Sequence, residues 1–127
     1  MPNRINISSG SPWEDQVGYS RAVRMGNQLE ISGTVAQENG SVVGKGDAYL
    51  QTVCILEKIK SVMEQSGGTL QNVIRTRMFV TDIGQWPQIA QAHSEYFGEV
   101  KPATTMVEVS KLIDPDYLVE IEATAWL

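Results

Sequence analysis

The chain has 127 residues, of which 42% are hydrophobic and 20% charged, and a formal net charge of −5. That length supports one domain spanning residues 1–127, large enough to bury a core without disulfides or metal. The acidic balance argues against nucleic acid as a partner, because such binding draws most of its affinity from neutralised phosphates, and the lone cysteine, Cys54, excludes an intrachain disulfide and a thiolate metal cluster.

The first ten residues, MPNRINISSG, contain no apolar core of the kind a signal peptide carries. No apolar run approaches membrane-spanning length. A reduced, cytoplasmic protein without a membrane partner is expected.

In chain order, RINISS reads as a short strand. YSRAVRMGNQLEISG reads as a hairpin: Val23 and Met25 lead into Gly26-Asn27, which tolerates positive φ, and Leu29 and Ile31 lead out. Asn39-Gly40 marks a further turn. Asp47 is placed to cap a helix whose Val53, Leu56, Ile59 and Met63, with Cys54 and Ile55, form a broad apolar stripe. Gly67-Gly68 ends it.

NVIRTRMFVTDI follows as a strand. Ile74, Thr76, Met78 and Val80 share one face, and Arg75, Arg77, Phe79 and Thr81 the other. QWPQIAQAHSEYFG predicts a second helix with Pro87 in its first turn and Trp86, Ile89, Ala90, His93 and Phe97 in line. ATTMVEVS and YLVEIEATAW are two more strands, separated by a turn at Asp114-Pro115. In the last one, Val119, Ile121, Ala123 and Ala125 alternate with Glu120, Glu122, Thr124 and Trp126.

The order predicts an α+β domain: one sheet covered on one face by two helices. The other face collects Arg75, Arg77, Phe79, either Thr104, Met106 and Glu108 or their neighbours, and Glu120, Glu122 and Trp126. This mixture of charge and aromatic surface suits a subunit interface with polar pockets, or a solvated face with a few ion pairs.

The stretches GYSRAV (18–23), ISGT (31–34), DAYLQT (47–52), NVIRTRMFVTDI (72–83), PATTMVEV (102–109) and LVEIEATA (118–125), in this order and spacing, resemble the Rid family, also called YjgF-like or L-PSP proteins. The resemblance covers nearly the whole chain. It implies a chorismate-mutase-like fold, a six-stranded mixed sheet with two helices on one face. It further implies a homotrimer with small-molecule clefts between subunits and no cofactor. Better-studied members hydrolyse reactive 2-imino acids and enamines to keto acids and ammonia; some members have been described as ribonucleases.

By the same resemblance, a tyrosine of the cleft matches Tyr19, a glutamate thought to position water matches Glu120, and backbone at Ser32-Gly33 lines the site. The family's carboxylate-gripping arginine follows the Pro-Ala of PATTMVEV, where this chain has Thr104. A guanidinium offers two parallel charge-assisted bonds, whereas a hydroxyl offers one neutral donor. The difference is about 1.5–3 kcal/mol, on the order of ten- to a hundred-fold in binding. Thr104 therefore argues for a subgroup without the usual 2-imino acid deamination.

The candidate catalytic residues are Glu120 and Tyr19. The candidate substrate contacts are Thr104, Met106, Arg77, Gly33, Ser32 and Trp13, the last on an SPWED segment suited to a lid or rim. Arg77 either supplies the missing cation or pairs with Glu120, Glu122 or a neighbouring subunit's carboxylate. His93, the sole histidine, reads as a hydrogen-bonded core residue, and no partner at metal-ligand spacing accompanies it. Cys54 reads as a small core residue rather than a nucleophile. Three functions compete: imine or enamine hydrolysis on a less carboxylate-dependent substrate, non-catalytic metabolite binding, and, with least support, ribonuclease action.

Overall fold

The structure, a computed structural model, describes residues 3–127. The strands are β1 (Arg4–Ile7), β2 (Ala22–Met25), β3 (Gln28–Val35), β4 (Gln37–Glu38), β5 (Ser41–Val42), β6 (Val73–Val80), β7 (Ala103–Glu108) and β8 (Val119–Trp126). The helices are α1 (Pro12–Val17), α2 (Ala48–Gln65) and α3 (Trp86–Phe97). Six strands form one sheet in the order β1-β2-β3-β8-β6-β7, parallel only between β6 and β7. β4 and β5 form a separate hairpin whose turn, Asn39-Gly40, has positive φ at both positions, the backbone that a two-residue hairpin turn requires. No described helix is long and apolar enough to cross a membrane.

The period-two pattern of β8 produces the predicted division. Val119, Ile121, Ala123 and Ala125 are buried against the helices, and Glu120, Glu122, Thr124 and Trp126 face the other way. Asp47 caps α2 by accepting from the Leu50 amide at 3.0 Å. Its Ile55, Leu56, Ile59 and Met63 are fully buried against the sheet. Each such side chain contributes about 1.5–3 kcal/mol on burial.

Several details depart from the sequence pattern. The SPWED segment forms a short helix, α1, which the pattern does not predict; Ser11 caps it and Pro12 opens it. A register shift between Val73 and Arg75 turns Ile74 outward, to 51% exposure, away from Thr76 and Met78. Trp86 is exposed at the start of α3, and Ala92 joins Ile89 and Phe97 in the buried stripe. Cys54 and His93 are half-buried rather than enclosed.

Candidate functional site

The site begins with an extra residue in β3. Ile31 pairs with Ala123 and the next pair is Thr34 with Ile121, so three steps of β3 span two of β8. The bulge falls at Ser32-Gly33. Its Ser32 hydroxyl donates to the Ser20 carbonyl at 2.7 Å, and the Thr34 hydroxyl donates to the Ser32 carbonyl at 2.8 Å. On β8 the residue opposite the bulge is Glu122, and Glu120, paired with Val35, is the next on the same face, its side chain reaching back to Gly33. A Cβ at Gly33 would collide with the Glu120 Oε2, so glycine admits the carboxylate against the backbone here.

A strap formed by residues 8–19 closes one side. Its anchor is Glu14, buried, whose carboxylate accepts from the Ser9 amide at 3.1 Å and the Ser9 hydroxyl at 2.5 Å. Burial works to raise the Glu14 pKa, but the hydrogen bonds from Ser9 and Ser8, with help from Arg21, outweigh it and hold the group below its ordinary value. Gly18, at φ 86°, ends α1 and leads to Tyr19. Between the strap, the β3 bulge, the β4–β5 turn and α2 lies a cleft of about 740 Å³. Trp13, Tyr19, Arg21, Gly33, Lys58 and Glu120 line it.

Its electrostatics are mixed. Burial raises the Glu120 pKa, opposed by the nearby Arg21 charge and reinforced by Glu122. Burial lowers the Lys58 pKa, and Arg21 lowers it further. Arg21 donates from Nη2 to the Gly33 carbonyl at 2.5 Å, and its guanidinium lies 5.9 Å from the Tyr19 ring centre. Lys58 donates to the Val35 carbonyl at 3.0 Å. A carboxylate with a raised pKa beside a phenol, two cations and an exposed tryptophan can hold a small polar molecule and exchange a proton with it.

Of the sequence candidates, one chain brings Glu120, Tyr19, Gly33 and Trp13 together, with Ser32 adjacent. Arg77 lies on the open sheet face, 3.3 Å from Glu122. Thr104 and Met106 lie opposite Thr76 and Met78 on the helix-side face of β7, so their neighbours Thr105 and Val107 share the open face with Arg75 and Arg77. The Thr104 hydroxyl donates to the Pro102 carbonyl at 3.1 Å and lies 2.8 Å from the Thr76 hydroxyl, which lies 2.9 Å from His93 Nε2. With one proton per hydroxyl, Thr76 donates to Thr104, and His93 donates from Nε2 to Thr76. Burial lowers the His93 pKa, which favours the neutral ring.

The sequence pattern does not single out Arg21, Lys58 or Glu14. Parity is the available signal for Arg21. Ala22 is buried, so Arg21 and Val23 belong to the face that carries Glu120. Nothing in the α2 pattern separates Lys58 from the solvated lysines of that helix.

Residues 12–127 match the family described as Endoribonuclease L-PSP. The chain is 37% identical over 126 residues to the 3-aminoacrylate deaminase RutC of Acinetobacter baylyi, covering 98% of each. It is 38% identical over 110 residues to a RutC family protein of Pyrococcus abyssi, covering 85% of each. Among solved structures, a member of the YjgF/YER057c/UK114 family from Mycobacterium tuberculosis superposes with a TM-score of 0.89 at 44% identity, covering 98% of this chain and 99% of that one. A Rid family protein from Yersinia pestis superposes at 0.84 with 32% identity, covering 96% and 94%. By its sequence, its sheet order and its likeness to these relatives, the chain belongs to the Rid/YjgF (L-PSP) family.

Proposed function

We propose that the chain hydrolyses an imine or enamine, releasing ammonia, in a cleft that neighbouring copies complete in a homotrimer. The observation that carries this reading is the Glu120 carboxylate, seated on Gly33 and half-buried in a cleft beside Tyr19. One water adds across the carbon–nitrogen double bond of the imine, and the products are a carbonyl compound and ammonia. Glu120 orients the water and takes its proton as the oxygen bonds to carbon. That proton passes to the nitrogen, giving a carbinolamine. The hydroxyl proton then follows by way of Glu120, so that the C–N bond breaks as the C=O bond forms and ammonia leaves; an enamine first takes a proton on carbon to become the imine. Tyr19 steadies the nitrogen or the developing oxygen, and Trp13 covers the mouth. The kinship with a relative named as a 3-aminoacrylate deaminase supports this chemistry. Thr104 and Met106 lie on the edge strand β7, away from their own chain's cleft, and in this reading they serve the cleft of an adjacent subunit.

The experiment is ammonia release from a panel of imines and enamines generated in situ, with sedimentation to establish the oligomer. Turnover that is lost in Glu120→Gln supports the mechanism; equal turnover by that variant on every active substrate removes it. A second reading, metabolite binding without catalysis, draws on the Thr104 hydroxyl, whose proton is committed to Pro102 and which offers no charge. Saturable binding with no ammonia released from any substrate would select it. A ribonuclease has less support, since His93 lies outside the cleft and the chain is acidic.

A further inference from the structure

Two cations, Arg21 and Lys58, enter the cleft, and among the described residues neither is neutralised by a carboxylate at contact distance. The ion pairs among those residues are Lys45–Asp116 and Arg77–Glu122, both elsewhere. Each cation is tethered instead to a backbone carbonyl of β3, Gly33 for Arg21 and Val35 for Lys58. Arg21 has five N–H donors, and Gly33 takes one. Its Nε is shielded from solvent and has no partner. Both residues are half-buried, and their like charges repel within one cavity. Glu120 and Glu38 also line the cavity and Glu14 lies close enough to feel the Arg21 charge, but none of the three makes an ion-pair contact with Arg21 or Lys58. A guanidinium fixed by one donor, with the rest unengaged in a partly dry cavity, is pre-organised for a planar anion.

We propose that Arg21 grips an anionic group of the ligand, so that the cleft selects small molecules bearing a carboxylate, with Lys58 reinforcing the positive potential. This rests on the proposed hydrolytic reading for the identity of the cavity, not for the binding itself. The Gly33 carbonyl fixes the guanidinium on one side of the bulge, and Glu120 lies against the same glycine. A ligand held by its carboxylate at Arg21 thus presents its adjacent carbon toward Glu120. The cation comes from the strap side of the chain's own cleft rather than from position 104, so a threonine there leaves carboxylate binding intact.

The test uses two unreactive probes of matched shape, propionate and propionamide, titrated into the full-length protein. The parent is expected to bind propionate at least tenfold more tightly than the amide, with affinity falling as salt rises. Arg21→Gln is expected to erase that preference. Arg21→Lys, which keeps the charge but loses the fork, is expected to retain part of it. Glu120→Gln is expected to bind propionate as well as the parent or better. Equal affinity of the parent for acid and amide, or an undiminished preference in Arg21→Gln, overturns the proposal. Should Arg21→Gln fail to fold, the Arg21 Nε–H resonance of the parent decides. A shift on titration with propionate, absent with propionamide, supports the contact, and an unmoved resonance overturns it. A protein that binds propionate through Arg21 yet releases ammonia from no imine would sink the hydrolytic reading alone.

Discussion

The Glu120 carboxylate occupies the space that a Cβ on Gly33 would fill. The obstructing atom is the end of a flexible side chain, so Gly33→Ala is predicted to displace the carboxylate rather than break the sheet. Stability should change by within about 1 kcal/mol. Turnover should fall on the order of a hundred-fold, the typical cost of misplacing a reacting group by an ångström. Urea unfolding and ammonia release, measured on the same preparation, separate the two effects. A large loss of stability with retained specific activity would contradict this account of the bulge.

Glu120→Gln is predicted to cost activity and add stability. Its pKa is raised by burial, so the folded state holds the proton more tightly than the unfolded chain does. Stability from this group is present at low pH and declines as pH rises from the unfolded value through the folded one. At neutral pH the ionised carboxylate is a net strain that the amide removes. The thermal midpoint of Glu120→Gln should exceed that of the parent at pH 7 and converge with it in acid, while turnover drops by roughly 10²–10⁴-fold. The parent's activity should also decline on the acid side at a pH above the ordinary glutamate range.

Glu14 predicts the opposite pH behaviour. Burial pushes its pKa up, but the hydrogen bonds from Ser9 and Ser8 outweigh burial and leave it lowered. Its contribution is therefore complete above the unfolded glutamate pKa and is lost as pH falls through the lowered folded value. Acidification should release the strap, visible as a change in Trp13 fluorescence that precedes global unfolding. Glu14→Gln should show the released signal already at pH 7. A Trp13 signal that moves only with the global transition would refute a separable strap.

Thr76→Val keeps shape but removes the hydroxyl between His93 and Thr104. The cost should be about 1–3 kcal/mol, because a ring N–H is left without its acceptor in a half-buried setting. Thr76→Ser should recover most of it. Nitrogen NMR of the histidine ring offers the sharper readout: the parent should carry its proton on Nε2, and Thr76→Val should shift the tautomer balance. A parent protonated on Nδ1 would reverse the polarity of the whole chain from His93 to Pro102.

Much of this architecture is legible in the residues. The alternation of β8 and the stripe of α2 each express one periodicity without interruption, so the buried sets follow directly. Gly26-Asn27 and Asn39-Gly40 mark real turns because positive φ has few alternatives. The six-residue α1 is too short for a period to accumulate, and only its cap and Pro12 signal it. Two register shifts, at Val73 and at Gly33, break the parity on which face assignments depend. For β7 the sequence admits either parity, and pairing with β6 assigns Thr104 and Met106 to the helix side. Arg21 is invisible to pattern because its importance lies in what it fails to meet, and missing partners leave no trace in a string of letters.

The position of β8 has a consequence for how the molecule comes into being. It follows every other strand in chain order, yet it sits between β3 and β6 and bonds to both. As the ribosome delivers the polypeptide, two half-sheets wait with their inner edges bare, bridged by α2 and its packing rather than by strand pairing. Such edges invite mispairing with other nascent chains. Closing the gap demands contacts far apart along the chain, which is slow. The strand that seals the fold is also the one that carries Glu120, so its carboxylate reaches its seat against Gly33 only at the moment the sheet becomes whole.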